Sequence, residues 1–298
     1  MKKQLGWRNH LQLLCIALMM YELVQLRYAQ HALAAEKAKK AIKVFVPCGM
    51  SLPFYAVKEE FERRTNCSAN LVFDNAVVLL RRIRRGECPD VLITPGELEM
   101  SQMVSEGYID KETVRTFGTF DLVLVVPKGN RANVRKLSDL VKPSVKTIGI
   151  ADWKLNSAGY YAKLALERAG LWEKVRGKLV KHWHALKAAE FVCTGRVDVG
   201  IYYATCPFES GPEKLEEVGV QVEEHPYQIV ARIPNNLYPP VKVQAGVLKK
   251  APNKNMALKF VSLLLDRKVQ SVLAKRGIPN YRPMGGHKQS RYKGEVRG

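Results

Sequence analysis

The stretch Lys43-Val44-Phe45-Val46-Pro47-Cys48-Gly49-Met50-Ser51-Leu52-Pro53-Phe54 passes from a β-rich run to a helix start within a single short loop. Val44 to Val46 favour a pleated, buried surface and read as a strand. Pro53 suits the first position of a helix, where its missing N–H has no helical partner to lose. Phe54, Val57 and Phe61 then recur at helical spacing. The same unit repeats outward along the chain. Leu71-Val72-Phe73 is a second strand, and Asp74-Asn75 opens a helix with Leu79, Leu80 and Ile83 on one side, closed by Gly86. Val91-Leu92-Ile93 follows as a third strand. A helix is expected near Leu98 to Val104, then a wholly apolar strand from Leu122 to Val126 and another from Lys146 to Ile150 that ends at Ala151-Asp152. Asn156-Ser157-Ala158-Gly159 opens a helix carrying Tyr161, Leu164, Ala165 and Ala169. A short helix from Ala185 to Val192 ends at Thr194-Gly195 and leads to a strand from Val197 to Tyr203. Val243 to Leu248 is the last strand, before helices from Met256 to Leu265 and Val269 to Lys275. Strands alternating with helices imply an α/β protein with mainly parallel sheets covered on both faces. No internal repeat is visible in the residues.

The 298 residues, 47% hydrophobic and 26% charged, suffice for two cores. Lys2, Lys3 and Arg8 precede an apolar run from Leu11 to Tyr21, and Ala32-Leu33-Ala34 follows. That order is a signal peptide, residues 1–34, with an extracytoplasmic product; a retained anchor is the alternative. The apolar run ends at Glu22, short of the roughly 20 residues that span a bilayer. No small residues precede Cys15 as a lipidated cysteine requires. Cleavage takes four of 48 basic and one of 28 acidic groups, leaving a net charge of +17. The basic groups are spread along the chain, with no zinc-finger spacing and no aromatic RNA-binding signature, so nucleic acid is not an expected partner. Arg81-Arg82 with Arg84-Arg85, and the basic tail at 286–298, read as solvated faces. The excess of positive charge would instead draw small anions. Five cysteines stay in the mature chain, Cys48, Cys67, Cys88, Cys193 and Cys206, an odd number in no zinc-ligand frame.

The chemistry points to strand-to-helix junctions. Each helix start leaves backbone N–H groups unpaired and carries partial positive charge, so several starts aimed at one point hold an anion without a cationic side chain. Gly49-Met50-Ser51, Asp74-Asn75-Ala76 and Ser157-Ala158-Gly159 are such junctions, with Ser51, Asn75 and Ser157 as side-chain donors. The same Ser and Asn residues equally read as ordinary helix caps.

Five segments in this order resemble the periplasmic molybdate-binding proteins: Val44-Phe45 through Ser51-Leu52, Cys88-Pro89-Asp90-Val91, Leu122 through Asn130, Ala158-Gly159-Tyr160-Tyr161-Ala162-Lys163, and Thr194 through Thr205. The likeness runs from about Ile42 to Ile278. It implies a type II periplasmic binding fold of two three-layer αβα lobes joined by two crossover strands, near Leu122 to Val126 and Val243 to Leu248. Lobe I would be 42–122 plus 243–285, and lobe II 123–242. It implies a solute-binding protein of an ABC importer and no enzyme. The ligand would be a tetrahedral oxyanion, molybdate or tungstate, with another oxyanion, a metal ion or a metal chelate as the alternative. The site would be built from Met50, Ser51, Asn75, Ala76, Ser157, Ala158, Ala185 and Tyr203, the last near the second hinge, with no cofactor and no bound metal. A membrane permease and its ATPase are the implied partners of a monomer. Two departures stand out. Asp74 replaces a small residue of the family's second loop and either caps its helix or points to a different ligand. Cys48 replaces another in the first loop; with Cys206 it is open to a disulfide or to soft-metal ligation. His182 and His184 lie two apart before a helix start and either face the cleft or are solvated and capping.

Overall fold

A computed structural model describes residues 19–28, 41–184, 190–204 and 226–281. The expected short helix start at Ala185, Cys206, the basic tail and most of the signal segment lie outside them. Residues 19–28 are helical and exposed, and among the described residues no helix is long and apolar enough to cross a membrane.

Two five-stranded sheets carry the fold. In the first, β1 (Ala41–Pro47) pairs in parallel with β2 (Ser68–Asp74) and β3 (Val91–Thr94), while β10 (Val241–Val247) runs antiparallel between β3 and β4 (Arg115–Phe120). In the second, β6 (Ile148–Ala151) pairs in parallel with β7 (Leu179–His182) and β8 (Val199–Tyr203), while β5 (Leu122–Pro127) runs antiparallel between β8 and β9 (Tyr227–Arg232). The orders β2-β1-β3-β10-β4 and β7-β6-β8-β5-β9 superimpose strand for strand. The two lobes therefore share one topology that the residues do not repeat.

Both sheets are mixed: in each, four strands run the same way, as expected of mainly parallel sheets, and one is reversed. The reversed strand of each sheet is the one the chain enters from the other lobe. It passes from the first sheet to the second at Asp121, between β4 and β5, and returns through residues 233–240. The two passages lie side by side, because Val123 pairs with Arg232 and the Ile233 N–H donates to Leu122 O at 2.8 Å. Leu122 through Val126 are fully buried, as a strand covered on both faces must be.

Helices α1 (Ser51–Thr65), α2 (Ala76–Arg84), α3 (Glu97–Ser105), α6 (Lys254–Leu263) and α7 (Arg267–Lys275) accompany the first sheet; α4 (Ser157–Arg168) and α5 (Trp172–Val175) accompany the second. Helix α1 begins at Ser51, so Pro53 takes the third position rather than the first. The physics is unchanged, since no N–H of the first turn has a helical partner. Strands β4, β7 and β9 escape the sequence pattern because Gly118 interrupts the first and the other two are half exposed at sheet edges.

Two carboxylate-held turns repeat between lobes. Asp90, at the foot of β3, accepts the Lys43 N–H at 2.8 Å and the Asn253 N–H at 2.6 Å; Asp198, at the foot of β8, accepts the Lys146 and Thr147 N–H groups at 2.7 and 2.8 Å. Each carboxylate ties the foot of an outgoing strand to its parallel neighbour. The arginines of α2 are only partly a solvated face. Arg82 is paired with Glu87 at 2.7 Å and Arg84 with Glu106 at 2.6 Å.

Candidate functional site

The carboxyl ends of β1, β2 and β3 and those of β6, β7 and β8 face each other across the interlobe gap. In open α/β sheets this edge is where loops and helix starts gather. Pro47 pairs with Asp74, so the turns that follow β1 and β2 are neighbours and bring Met50-Ser51 beside Asn75-Ala76. Across the gap, Asn75 Nδ2 donates to the Trp183 carbonyl at 3.3 Å. This contact joins topologically equivalent positions, since β7 is the counterpart of β2.

The three junctions expected to start helices do so, at Ser51, Ala76 and Ser157. Their N–H groups are used differently. At α2 the cap is Asn75, whose Oδ1 accepts the Val77 N–H at 2.9 Å, while Asp74 turns back and accepts the Asn75 N–H at 2.7 Å. Asp74 thus spends its acceptor on its own turn, one residue before the helix. At α1 no side chain caps the helix. Ser51 is 1% exposed and its hydroxyl has no hydrogen-bond partner among the described residues. A buried hydroxyl left unpaired costs about 1–3 kcal/mol, and such orphans in a native protein call for an explanation.

The α4 start departs from the simple picture. Asn156 Oδ1 accepts the Ala158 N–H at 2.8 Å. The Ser157 N–H donates to Glu99 Oε1 at 2.9 Å, and its hydroxyl donates to Glu99 Oε2. Glu99 belongs to the other lobe and is fully buried. Burial pushes its carboxyl above the usual range, against the lowering effect of the Ser157 bonds. Ser157 also packs on Gly96, where a Cβ would come within 2.4 Å of its own. The residue reasoning missed Glu99, because acids in a first helical turn read as ordinary complements of the helix dipole. Beside this pair Tyr161 Oη donates to Glu97 at 3.2 Å, and Lys242 Nζ meets Glu97 at 2.8 Å.

Tyr203 is buried at the end of β8, opposite Leu122, with its ring 5.0 Å from that of Phe120. It therefore stands beside the first crossover, which runs next to the second. Gly149 and Gly200 leave room for the neighbouring Tyr202, whose Oη is 2.7 Å from His182 Nε2. His182 is only 8% exposed and neither solvated nor capping. Burial pulls its pKa down to about 4. The unfolded ring takes a proton near pH 6.5, which the buried ring refuses. Stability present above pH 6.5 is thus lost as pH falls toward 4, by about 3 kcal/mol. Urea unfolding at about pH 7.5 and 4.5 is expected to show this slope in the native chain and to lose it in His182→Gln.

Among the described residues, no group of three or more His, Cys, Asp or Glu side chains is arranged to hold a metal ion. The apposed strand ends, the buried crossovers and the repeated lobe topology describe a two-lobed receptor with a cleft. Residues 42–278 match the sequence model of the bacterial extracellular solute-binding proteins. The chain belongs to this family. As a solute-binding protein it shares 25% identity with a putative ABC transporter substrate-binding lipoprotein, YvgL, of Bacillus subtilis over 69% of this chain and 73% of that one. It shares 24% with the molybdate-binding protein ModA of Azotobacter vinelandii over 83% and 92%. The solved structure of the sulfate-binding protein SubI of Mycobacterium tuberculosis has the same fold, at TM-score 0.65 and 17% identity over 82% and 88% of the two chains. The two-lobed α/β fold and the role of a binding protein, not an enzyme, follow from these likenesses.

Proposed function

We propose that this solute-binding protein captures a tetrahedral oxyanion, molybdate or tungstate, outside the cytoplasm and delivers it to an ABC permease and its ATPase. The observation that carries this reading is the Ser51 hydroxyl, buried without a partner among the described residues at a helix start that no side chain caps, beside the α2 start. A hydroxyl in that condition is poised to donate to an anion that also meets the first-turn N–H groups. The seat would comprise Met50, Ser51, Asn75 and Ala76 from one lobe and Ala158, Ala185 and Tyr203 from the other. Ser157 contributes by joining the lobes rather than by touching the anion. Residues 42–120 and 241–281 form the first lobe in this reading, and 122–232 the second. A relative that binds molybdate, aligned over most of both chains, favours molybdate over sulfate, and cavity size would make that choice because the two anions share charge and shape.

Titration calorimetry of residues 35–298 with molybdate, tungstate, sulfate and phosphate tests the assignment. Molybdate or tungstate is expected to bind tightest. Ser51→Ala and Tyr203→Phe should each weaken it about 10- to 100-fold, the worth of a hydrogen bond to a charged group. Ser51→Ala should not lower the melting temperature of the free protein, since it removes an orphan. Binding of none of the four anions would overturn the reading.

A further inference from the structure

The buried carboxyl of Glu99 has no role in holding an anion, yet it bridges the lobes. It lies on α3 of the first lobe, and both its oxygens meet Ser157 at the start of α4 in the second. Among the described residues no cation stands within ion-pair distance of it. Of the titratable groups nearby, Tyr161 on α4 is close enough for the charge of Glu99 to help raise its pKa, while Glu97 on the same helix as Glu99 is held by Tyr161 and by Lys242 of β10. Lys242 is already committed to Glu97, and Tyr161 donates to Glu97, so neither neutralises Glu99. A carboxylate without a counter-ion is costly to bury, and proteins meet that cost by protonation. The neutral acid fits the contacts, since Oε1 accepts the Ser157 N–H and, once Oε2 carries the proton, the Oε2–H takes over as donor in the bond that the Ser157 hydroxyl donates to the carboxylate.

We propose that Glu99 is a proton-coupled clasp: closing the lobes seats its carboxyl against Ser157 as the neutral acid, so that closure, and with it ligand capture, takes up one proton. The inference rests on the proposed function only for its ligand; the clasp itself belongs to the fold. With the lobes apart Glu99 returns to water and to an ordinary carboxylate pKa. Closure then raises that pKa, as burial of the group implies. The sign follows. Closure is fully favoured below the ordinary carboxylate range and weakens as pH rises from there through the raised closed-state value, at up to about tenfold per pH unit.

Two measurements on the full mature chain test this. Calorimetry with molybdate in buffers of different ionisation enthalpy is expected to show uptake of up to one proton per anion bound, and Kd should rise as pH rises above the ordinary carboxylate range. Glu99→Gln keeps both contacts, since its amide oxygen accepts and its amide nitrogen donates, and should bind with no proton uptake and a flat profile. Any titration of the anion itself appears in both proteins and cancels. Independently of any ligand, spin labels placed one on each lobe should report a distance that lengthens as pH rises in the native chain and stays short in the glutamine variant. Equal proton uptake by the two proteins, or a distance insensitive to pH in the native chain, overturns the clasp. Failure to bind molybdate while the distance still responds to pH rejects the ligand and leaves the clasp standing.

Discussion

Gly159→Ala is expected to cost about 4 kcal/mol or more of stability, most of what holds a domain of this size together. A Cβ at position 159 would lie 2.2 Å from the Ala151 carbonyl oxygen and 2.8 Å from the Trp153 N–H nitrogen, both backbone atoms with no rotamer to escape into. Relief requires α4 to move off β6. That helix buries Tyr161, Ala162, Ala165 and Leu166 against the second sheet, so the movement would open a seam through the lobe core. Overpacking usually costs 1–3 kcal/mol where side chains can give way, and here none is available to do so. Urea and thermal unfolding measure the loss. Gly177→Ala is the control, because a Cβ there meets nothing within 4 Å, and its effect should stay within about 0.5 kcal/mol.

The role of Gly159 also marks how far residues alone lead. In the sequence it is one residue of a helix-start junction that could hold an anion, whereas its smallness serves the approach of a helix to its own strand. The alternation of strands and helices from Ala41 to Lys275 was legible because hydrophobic periodicity is a local property. The helix starts at Ser51, Ala76 and Ser157 were legible for the same reason. Sheet order was not, since β5 is as apolar as its neighbour β8 and only the path between lobes sets the direction of β5 and β10. The partner of Ser157 was equally hidden. Glu99 is 58 residues away, and its acidic side chain at a helix start suits a solvated position just as well. Asp74, read as a helix cap or a sign of a different ligand, leaves the cap to Asn75 and accepts the Asn75 N–H.

Asn75→Asp is expected to abolish oxyanion capture, by roughly a thousandfold or about 4 kcal/mol, while leaving the fold intact. Aspartate caps a helix as well as asparagine does, and its charge favours the α2 start, so the bond to the Val77 N–H survives and the melting temperature should shift by no more than a few degrees. What changes is the other end of the side chain. Nδ2 now donates across the gap to the Trp183 carbonyl at 3.3 Å, and an oxygen in its place sets two acceptors against each other. It also puts a second carboxylate next to Asp74, at the turn where the anion would meet the Ala76 N–H, and like charges side by side in a closed cleft cost several kcal/mol. Asn75→Ala separates the two functions. It loses the cap, at about 1 kcal/mol of stability, and the cross-lobe bond, at about tenfold in affinity, without introducing repulsion. Calorimetry and thermal unfolding of the pair therefore distinguish a site at this turn from one elsewhere: if the aspartate variant binds the anion as tightly as the native chain, the α2 start is not part of the seat.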